Sequence, residues 1–248
     1  MKKLIAALFF LSTIVVANAQ NTEGVVTFEE KVNLHRRMQD DQMKAMVPEF
    51  RSSTMLLYFK GDESLYKADE SDDDEEANNA AAGGGGGGPQ VRFQRPNSEI
   101  YRNAATQRSV EQRDMRGKKF LIEDTLAQQP WKLTTETKTV AKYNCTKATY
   151  NDTARKQDIV AWFTMDLPTA TGPQSLGGLP GMILEVDINK GETIISAKKI
   201  DFKKVKPANI AAPTKGDKMT RAEFRKQMEE FRKQMGGGAG RPNIMIRN

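Results

Sequence analysis

The chain has one cysteine, Cys145, and one histidine, His35, in 248 residues. A lone thiol excludes an internal disulfide, so the fold must be held by its core. A lone imidazole removes most metal sites and every His-dependent triad that uses a second imidazole. Long apolar runs are missing too: beyond the first twenty residues none approaches the roughly 20 that a membrane helix needs. No P-loop pattern G-x-x-x-x-G-K-[ST] occurs, which excludes that mode of phosphate binding.

What is present begins with an export signal. Lys2 and Lys3 precede an apolar run over residues 4–16 that is too short to span a bilayer, and Ala17-Asn18-Ala19 offers small residues where a signal peptidase reads. Residues 1–19 are therefore expected to be removed, leaving Gln20 first. No cysteine follows the cleavage site, so no lipid anchor is expected. The predicted location is the periplasm or cell envelope, with no transmembrane segment in the mature chain.

Loss of Lys2 and Lys3 lowers the formal charge from +6 to +4, and the remaining charge is segregated. Residues 62–76 hold nine acids against Lys67 alone, whereas residues 198–248 hold fourteen Lys or Arg against five acids. Such a split can mark a nucleic-acid or anionic-lipid surface. Only Phe202 interleaves with Lys198, Lys199, Lys203, Lys204 and Lys206, so a stacking surface for single strands is not supported and no nucleic-acid partner is expected. A solvated sheet edge kept from further pairing by lysine is the ordinary explanation.

Period-two patterning dominates. Val26, Phe28, Val32 and Leu34 alternate with polar residues, with Glu30 in the same register, and residues 53–60 and 64–67 read as a hairpin turning at Gly61-Asp62. Residues 37–48 fit a short helix or a loop ended by Pro48. Residues 100–102, 107–113 and 118–123 continue the rhythm, and the strongest strand signal runs from Trp131 to Thr164. Met182, Leu184, Val186 and Ile188 follow, then a turn at Asn189-Lys190-Gly191 and a returning strand over residues 193–202. Hairpin turns between about ten short strands argue for an antiparallel sheet. The predicted fold is mainly β: a strongly curved or half-closed antiparallel sheet with a C-terminal amphipathic helix packed on it or across its mouth.

That helix is predicted after Thr220, which forms a capping-box pattern with Glu223. The hexamer EFRKQM occurs twice within it, so Phe224, Met228, Phe231 and Met235 make one apolar stripe. The domain plan is a signal over residues 1–19, one β-rich domain over 20–210, and helix with loose tail over 211–248. An acidic and glycine-rich insertion at about 68–90 is expected to be disordered, because it cannot bury enough apolar surface to offset its ordering entropy.

Residues 172–187, GPQSLGGLPGMILEVD, are the most distinctive stretch. Gly178-Leu179-Pro180-Gly181-Met182-Ile183 resembles the name motif of the GLPGLI family of exported Bacteroidota proteins, with methionine where that family usually has leucine. The resemblance extends to Trp131-Lys132-Leu133, Tyr143-Asn144-Cys145-Thr146-Lys147-Ala148, Ala161-Trp162-Phe163-Thr164 and Gly172-Pro173. It implies a β-rich envelope protein of unassigned activity and brings no catalytic residues. Physically, Gly177, Gly178 and Gly181 allow positive φ or close approach of another chain, and Pro180 fixes its own φ. A tight β-arch folding back on the core is the bland reading of the turn, and a preformed groove for a ligand or peptide is the functional one.

The remaining candidates are each weighed against a structural role. Cys145 sits amid strand alternation and is expected to be a buried small hydrophobe. The acidic run lacks the spacing of a calcium loop. The Phe/Met stripe is the candidate partner-binding helix, with packing on its own sheet as the alternative. No catalytic, cofactor or metal residues are assigned. The expected function is a non-enzymatic envelope protein that binds a protein partner or apolar ligand in the sheet's concavity, an accessory to outer-membrane transport or assembly being one form of it. The alternatives are a hydrolase whose carboxylates (Glu30, Glu123, Glu185, Asp187) converge from several strands, and a purely structural envelope component.

Overall fold

A computed structural model describes residues 22–38, 40–70, 92–93, 98–115, 117–234 and 244–245. The expected signal, most of the insertion, Met235 and most of the tail lie outside the described residues. The strands are β1 (Glu23–Asn33), β2 (Phe50–Lys60), β3 (Glu63–Ala68), β4 (Arg92–Phe93), β5 (Ser98–Asn103), β6 (Arg108–Met115), β7 (Lys118–Thr125), β8 (Lys132–Val140), β9 (Tyr143–Asp152), β10 (Gln157–Thr164), β11 (Met182–Ile188), β12 (Thr193–Phe202), β13 (Asp217–Met219) and β14 (Ile244–Met245).

Twelve of these form one sheet in the order β13-β7-β6-β5-β3-β2-β1-β12-β11-β10-β9-β8, and β4 pairs separately with β14. The chain starts in the middle of the sheet and meanders outward to β7. It then crosses to the far edge at β8 and meanders back until β12 pairs antiparallel with β1, from Gly24↔Phe202 to Val32↔Thr193. Only β13, which adds to β7, is parallel. The sheet is not closed into a barrel.

One residue shows how strongly the sheet curves. The Thr171 carbonyl accepts the Ile183 amide of β11 at 2.9 Å, and its hydroxyl lies 2.8 Å from the Ser64 hydroxyl of β3. In the sheet order β11 and β3 are separated by β12, β1 and β2, about 19 Å if the sheet were flat. A single side chain and its own carbonyl can touch both only because the sheet wraps. The inner face carries the main core: Val26 and Phe28 of β1, Leu57 and Phe59 of β2, Ala161 and Phe163 of β10, Val186 of β11 and Ile195 of β12.

The outer face is covered over one half. Leu65, Tyr101, Val110 and Leu121 pack under the connector that follows β12, through Val205 and Ile210. Lys198 and Lys199 sit at a local edge, whereas Lys203, Lys204 and Lys206 lie in the connector beyond β12. β12 is an interior strand, yet it pairs with β11 only from Thr193 to Ser196, so beyond Ser196 its second side has no named strand. Residues 37–48 contain a five-residue helix, Asp41–Ala45, capped by the Asp40 carboxylate accepting the Gln42 and Met43 amides. Met38 and Val47 pack there with Val32 and Leu34 in a small satellite core.

The C-terminal helix spans Arg221–Gln234. Its capping box forms as the sequence predicts: the Thr220 hydroxyl accepts the Glu223 amide at 3.2 Å, and the Glu223 carboxylate accepts the Thr220 amide at 2.7 Å. Those bonds hold the Glu223 carboxyl below its ordinary range. The helix packs on β7, with Phe224 edge-on to Phe120 at 5.5 Å between ring centroids. Arg221 also reaches the buried Glu111 carboxylate at 3.0 Å. Among the described residues no helix is long and apolar enough to cross a membrane.

Because Phe28 is fully buried where β1 meets both meanders, Phe28→Ala should cost about 3–5 kcal/mol. Chemical denaturation should show this as a lower midpoint with an unchanged slope.

Candidate functional site

Residues 165–181 connect β10 to β11 and read MDLPTATGPQSLGGLPG. Pro168, Pro173 and Pro180 cannot donate to a strand ladder, and the glycines between them remove any propensity for helix. The segment instead folds over the inner face as a plug. Leu167, Leu176 and Leu179 are buried in the main core, each worth about 1.5–3 kcal/mol of apolar burial.

Polar anchors from distant strands hold the plug. Arg102 of β5 donates from its guanidinium to the Leu176 carbonyl. The Trp131 indole N–H donates to the Gly177 carbonyl at 2.9 Å, and the Gln129 amide donates to the Ser175 carbonyl at 3.2 Å. Trp131 is itself set edge-on to Tyr150 at 5.6 Å. Gly177 lets the Arg102 guanidinium approach closely, since a Cβ there would meet it and force the side chain to shift.

The hexamer is the end of the plug and the start of β11. Gly178 and Pro180 are exposed, Leu179 is buried, and Gly181 turns the chain with φ +144°. A Cβ at Gly181 would run into the Thr164 carbonyl. A β-bulge opposite Trp162 and Phe163 follows, and Met182, Ile183 and Leu184 are all fully buried. The arch reading of this turn therefore describes its geometry, and the plug fills the concavity in which a ligand was expected.

The carboxylates weighed for hydrolysis do not converge. Glu30 faces inward and accepts from the Tyr66 hydroxyl and the Gln174 amide, each at 3.4 Å. Burial first, then Glu30, pushes the Tyr66 phenol well above its ordinary value. Glu123 pairs with Arg108 at 3.2 Å on β6 and β7. Glu185 lies on the outer face with Lys138 and the Ser196 hydroxyl, and Asp187 accepts the Gly191 amide at 2.6 Å in the following turn. Lys138 also lies 4.5 Å from the Trp162 ring centroid.

Cys145 is buried in the main core, and burial pushes its thiol up to about 11. His35 bonds the Val47 carbonyl at 3.0 Å in the satellite core, so the two are not brought together. On the helix, Phe224 and Met228 face the sheet, whereas Phe231 is 37% exposed and Met235 lies outside the described residues. Among the described residues no group of three or more His, Cys, Asp or Glu gathers as for a metal ion.

Sequence reasoning passed over Arg102, Ser64 and Thr171. One signal was available: Arg102 falls two residues after Ile100, a cation in phase with the apolar face of its strand. Arg102 is buried, and desolvation lowers its pKa to about 10.

Comparison with known proteins places this architecture. A family model described as the N-glycanase peptide, N-terminal domain, matches residues 90–223, more than half of the chain. Solved structures of PNGF-II in two crystal forms, C2 and P21, share the fold with TM-scores of 0.56 and 0.57 at 15% identity. Each likeness covers 85% of this chain but only 33% or 34% of the PNGF-II chain, so the chain spans about a third of their length. A comparison with curated proteins finds no match.

Two outcomes follow from the geometry. Gly181→Ala should cost about 1–3 kcal/mol from its backbone conformation alone, with the collision adding to it, which thermal unfolding would show as a lower Tm. A thiol reagent at pH 9 should modify Cys145 in the folded protein at least about fiftyfold more slowly than in urea. A thiol with the ordinary value of 9.0 is about half ionised at that pH, whereas one raised to about 11 is about 1% ionised.

Proposed function

The chain belongs to the family of N-glycanase peptide N-terminal domains, and on that premise we propose that it is a non-catalytic, exported binding module whose ligand is a protein surface. The plug is the observation that carries this reading. An apolar small molecule would use the inner face of a wrapped sheet, and Leu167, Leu176 and Leu179 of the chain itself occupy that face. Recognition then falls to the exterior. The PNGF-II structures support the idea of a module, since this fold accounts for about a third of their chains.

The exterior offers a nine-residue open strand at one end of the sheet. β8 pairs with β9 on one side and is an edge of the twelve-stranded sheet, with Leu133 59% exposed. An extended segment of a partner would add there by main-chain pairing, with the alternate side chains of β8 setting specificity. In the cell envelope, where the GLPGLI-type resemblance and the signal sequence would place the protein, that partner is an outer-membrane or other envelope protein.

Crosslinking the full chain in its native envelope tests this. Wild type should capture a discrete envelope protein, and Leu133→Glu, which lies outside the core, should lose it while retaining its Tm. Uptake of lipids or apolar dyes without any variant-sensitive protein capture would overturn the reading. So would turnover of a glycan, ester or peptide substrate that disappears in Glu185→Gln, which would favour the hydrolase.

A further inference from the structure

Two charged side chains are buried on the inner face of adjacent strands, and they are treated differently. Glu111 of β6, 1% exposed, is met by two arginines: Arg113 of its own strand and Arg221 of the C-terminal helix. Arg102 of β5, 6% exposed, has no carboxylate at ion-pair distance among the described residues, although Glu111 is its diagonal neighbour across the ladder. Its hydrogen bond goes to the neutral Leu176 carbonyl. A guanidinium has five N–H donors, and a buried cation without a counter-charge is costly. Holding the plug needs a donor at this position but does not need a charge.

Arg102 lines a cavity of about 240 Å³ between the start of β3, the end of β5 and the plug. Ser64 and Thr171, both buried and sharing their 2.8 Å hydrogen bond, line it as well, as do Ala104 and Thr169. The exposed carboxyl-bearing side chain of Asp62 stands on the same lining. The volume is below the roughly 300–1,000 Å³ of pockets for drug-sized molecules, so a ligand here has few atoms.

We propose that this cavity is a binding site for a small monocarboxylate carrying a hydroxyl or ammonium group at its other end. The guanidinium receives the carboxylate, the planar fork matching two oxygens at once, and the hydroxyls of Ser64 and Thr171 complete that end. Asp62 receives the donor end. Its negative charge on the lining also selects against a dianion, which would meet repulsion there that a monoanion with a donor escapes. Loading the site supplies Arg102 with the counter-charge that the fold withholds. The site is independent of the partner-binding reading, since β8 contributes nothing to it.

The test uses the full chain at constant ionic strength, with glycine, glycolate, acetate, inorganic phosphate and chloride as probes. Thermal unfolding and isothermal titration would be compared in wild type, Arg102→Gln and Ala104→Leu. The expected result is a saturable rise in Tm with glycine or glycolate, smaller with acetate and absent with phosphate and chloride. Arg102→Gln should abolish it, but this change also loosens the plug. Ala104→Leu fills the cavity and leaves the guanidinium and its bond to Leu176 in place, so it should retain wild-type folding and lose the response. No carboxylate-dependent shift in wild type would overturn the proposal, as would a shift retained in Ala104→Leu. A response to phosphate as large as that to glycolate would overturn the assignment to a monocarboxylate.

Discussion

The contact between the Arg102 guanidinium and the backbone at Leu176-Gly177 is the constraint on which the inner half of the molecule depends. Arg102 belongs to the outward meander, while the plug belongs to the returning one, and the two are far apart along the sheet. A donor from one reaches a carbonyl of the other, and glycine at 177 leaves the space in which the guanidinium lies against the main chain. Trp131 closes the same backbone from the other meander by donating to the Gly177 carbonyl. The plug is thus pinned from both sides of the wrap. Its three buried leucines then supply the apolar contents that the sheet's own small inward residues, Ala148 and Ala161, leave unfilled.

That arrangement explains why a chain without a disulfide can keep so large a sheet curved. Curvature in an open sheet must be stabilised by something that touches both ends of the arc. Thr171 does this with two hydrogen bonds, to β11 and β3, and Leu167, Leu176 and Leu179 do it with apolar contact. The connector after β12 covers the outer face of the first meander, and the C-terminal helix covers β7. The first meander therefore takes its covering layers from segments that follow β12, and the plug comes from the connection between β10 and β11.

The sequence was legible where one rule acted alone. Alternation from Val26 to Val32, the hairpin turn at Gly61-Asp62 and the capping box at Thr220 and Glu223 all appear as local chemistry predicts, because each depends on residues within a few positions of one another. Strand order was beyond it, since the pairing of β1 with β12 joins residues that no local pattern links. The plug was half legible. Proline and glycine spacing announced a turn, yet the partners that give the turn its purpose lie in β3, β5 and the segment before β8. The Phe/Met stripe was ambiguous for a related reason: amphipathicity says that a helix covers something, and only the tertiary structure assigns Phe224 and Met228 to the chain's own sheet.

A hexamer that stands out in a sequence invites a functional reading, but its residues here are accounted for by packing. Leu179 fills the core, Gly181 turns where a Cβ would strike the Thr164 carbonyl, and Met182 and Ile183 begin a strand buried on both sides of a bulge. In this chain the motif meets steric demands set by the wrapped sheet and its plug. Among the described residues, the edge of β8 and the cavity at Arg102 lie where those demands end, and the two proposed binding sites rest on hydrogen-bonding or charge capacity left there.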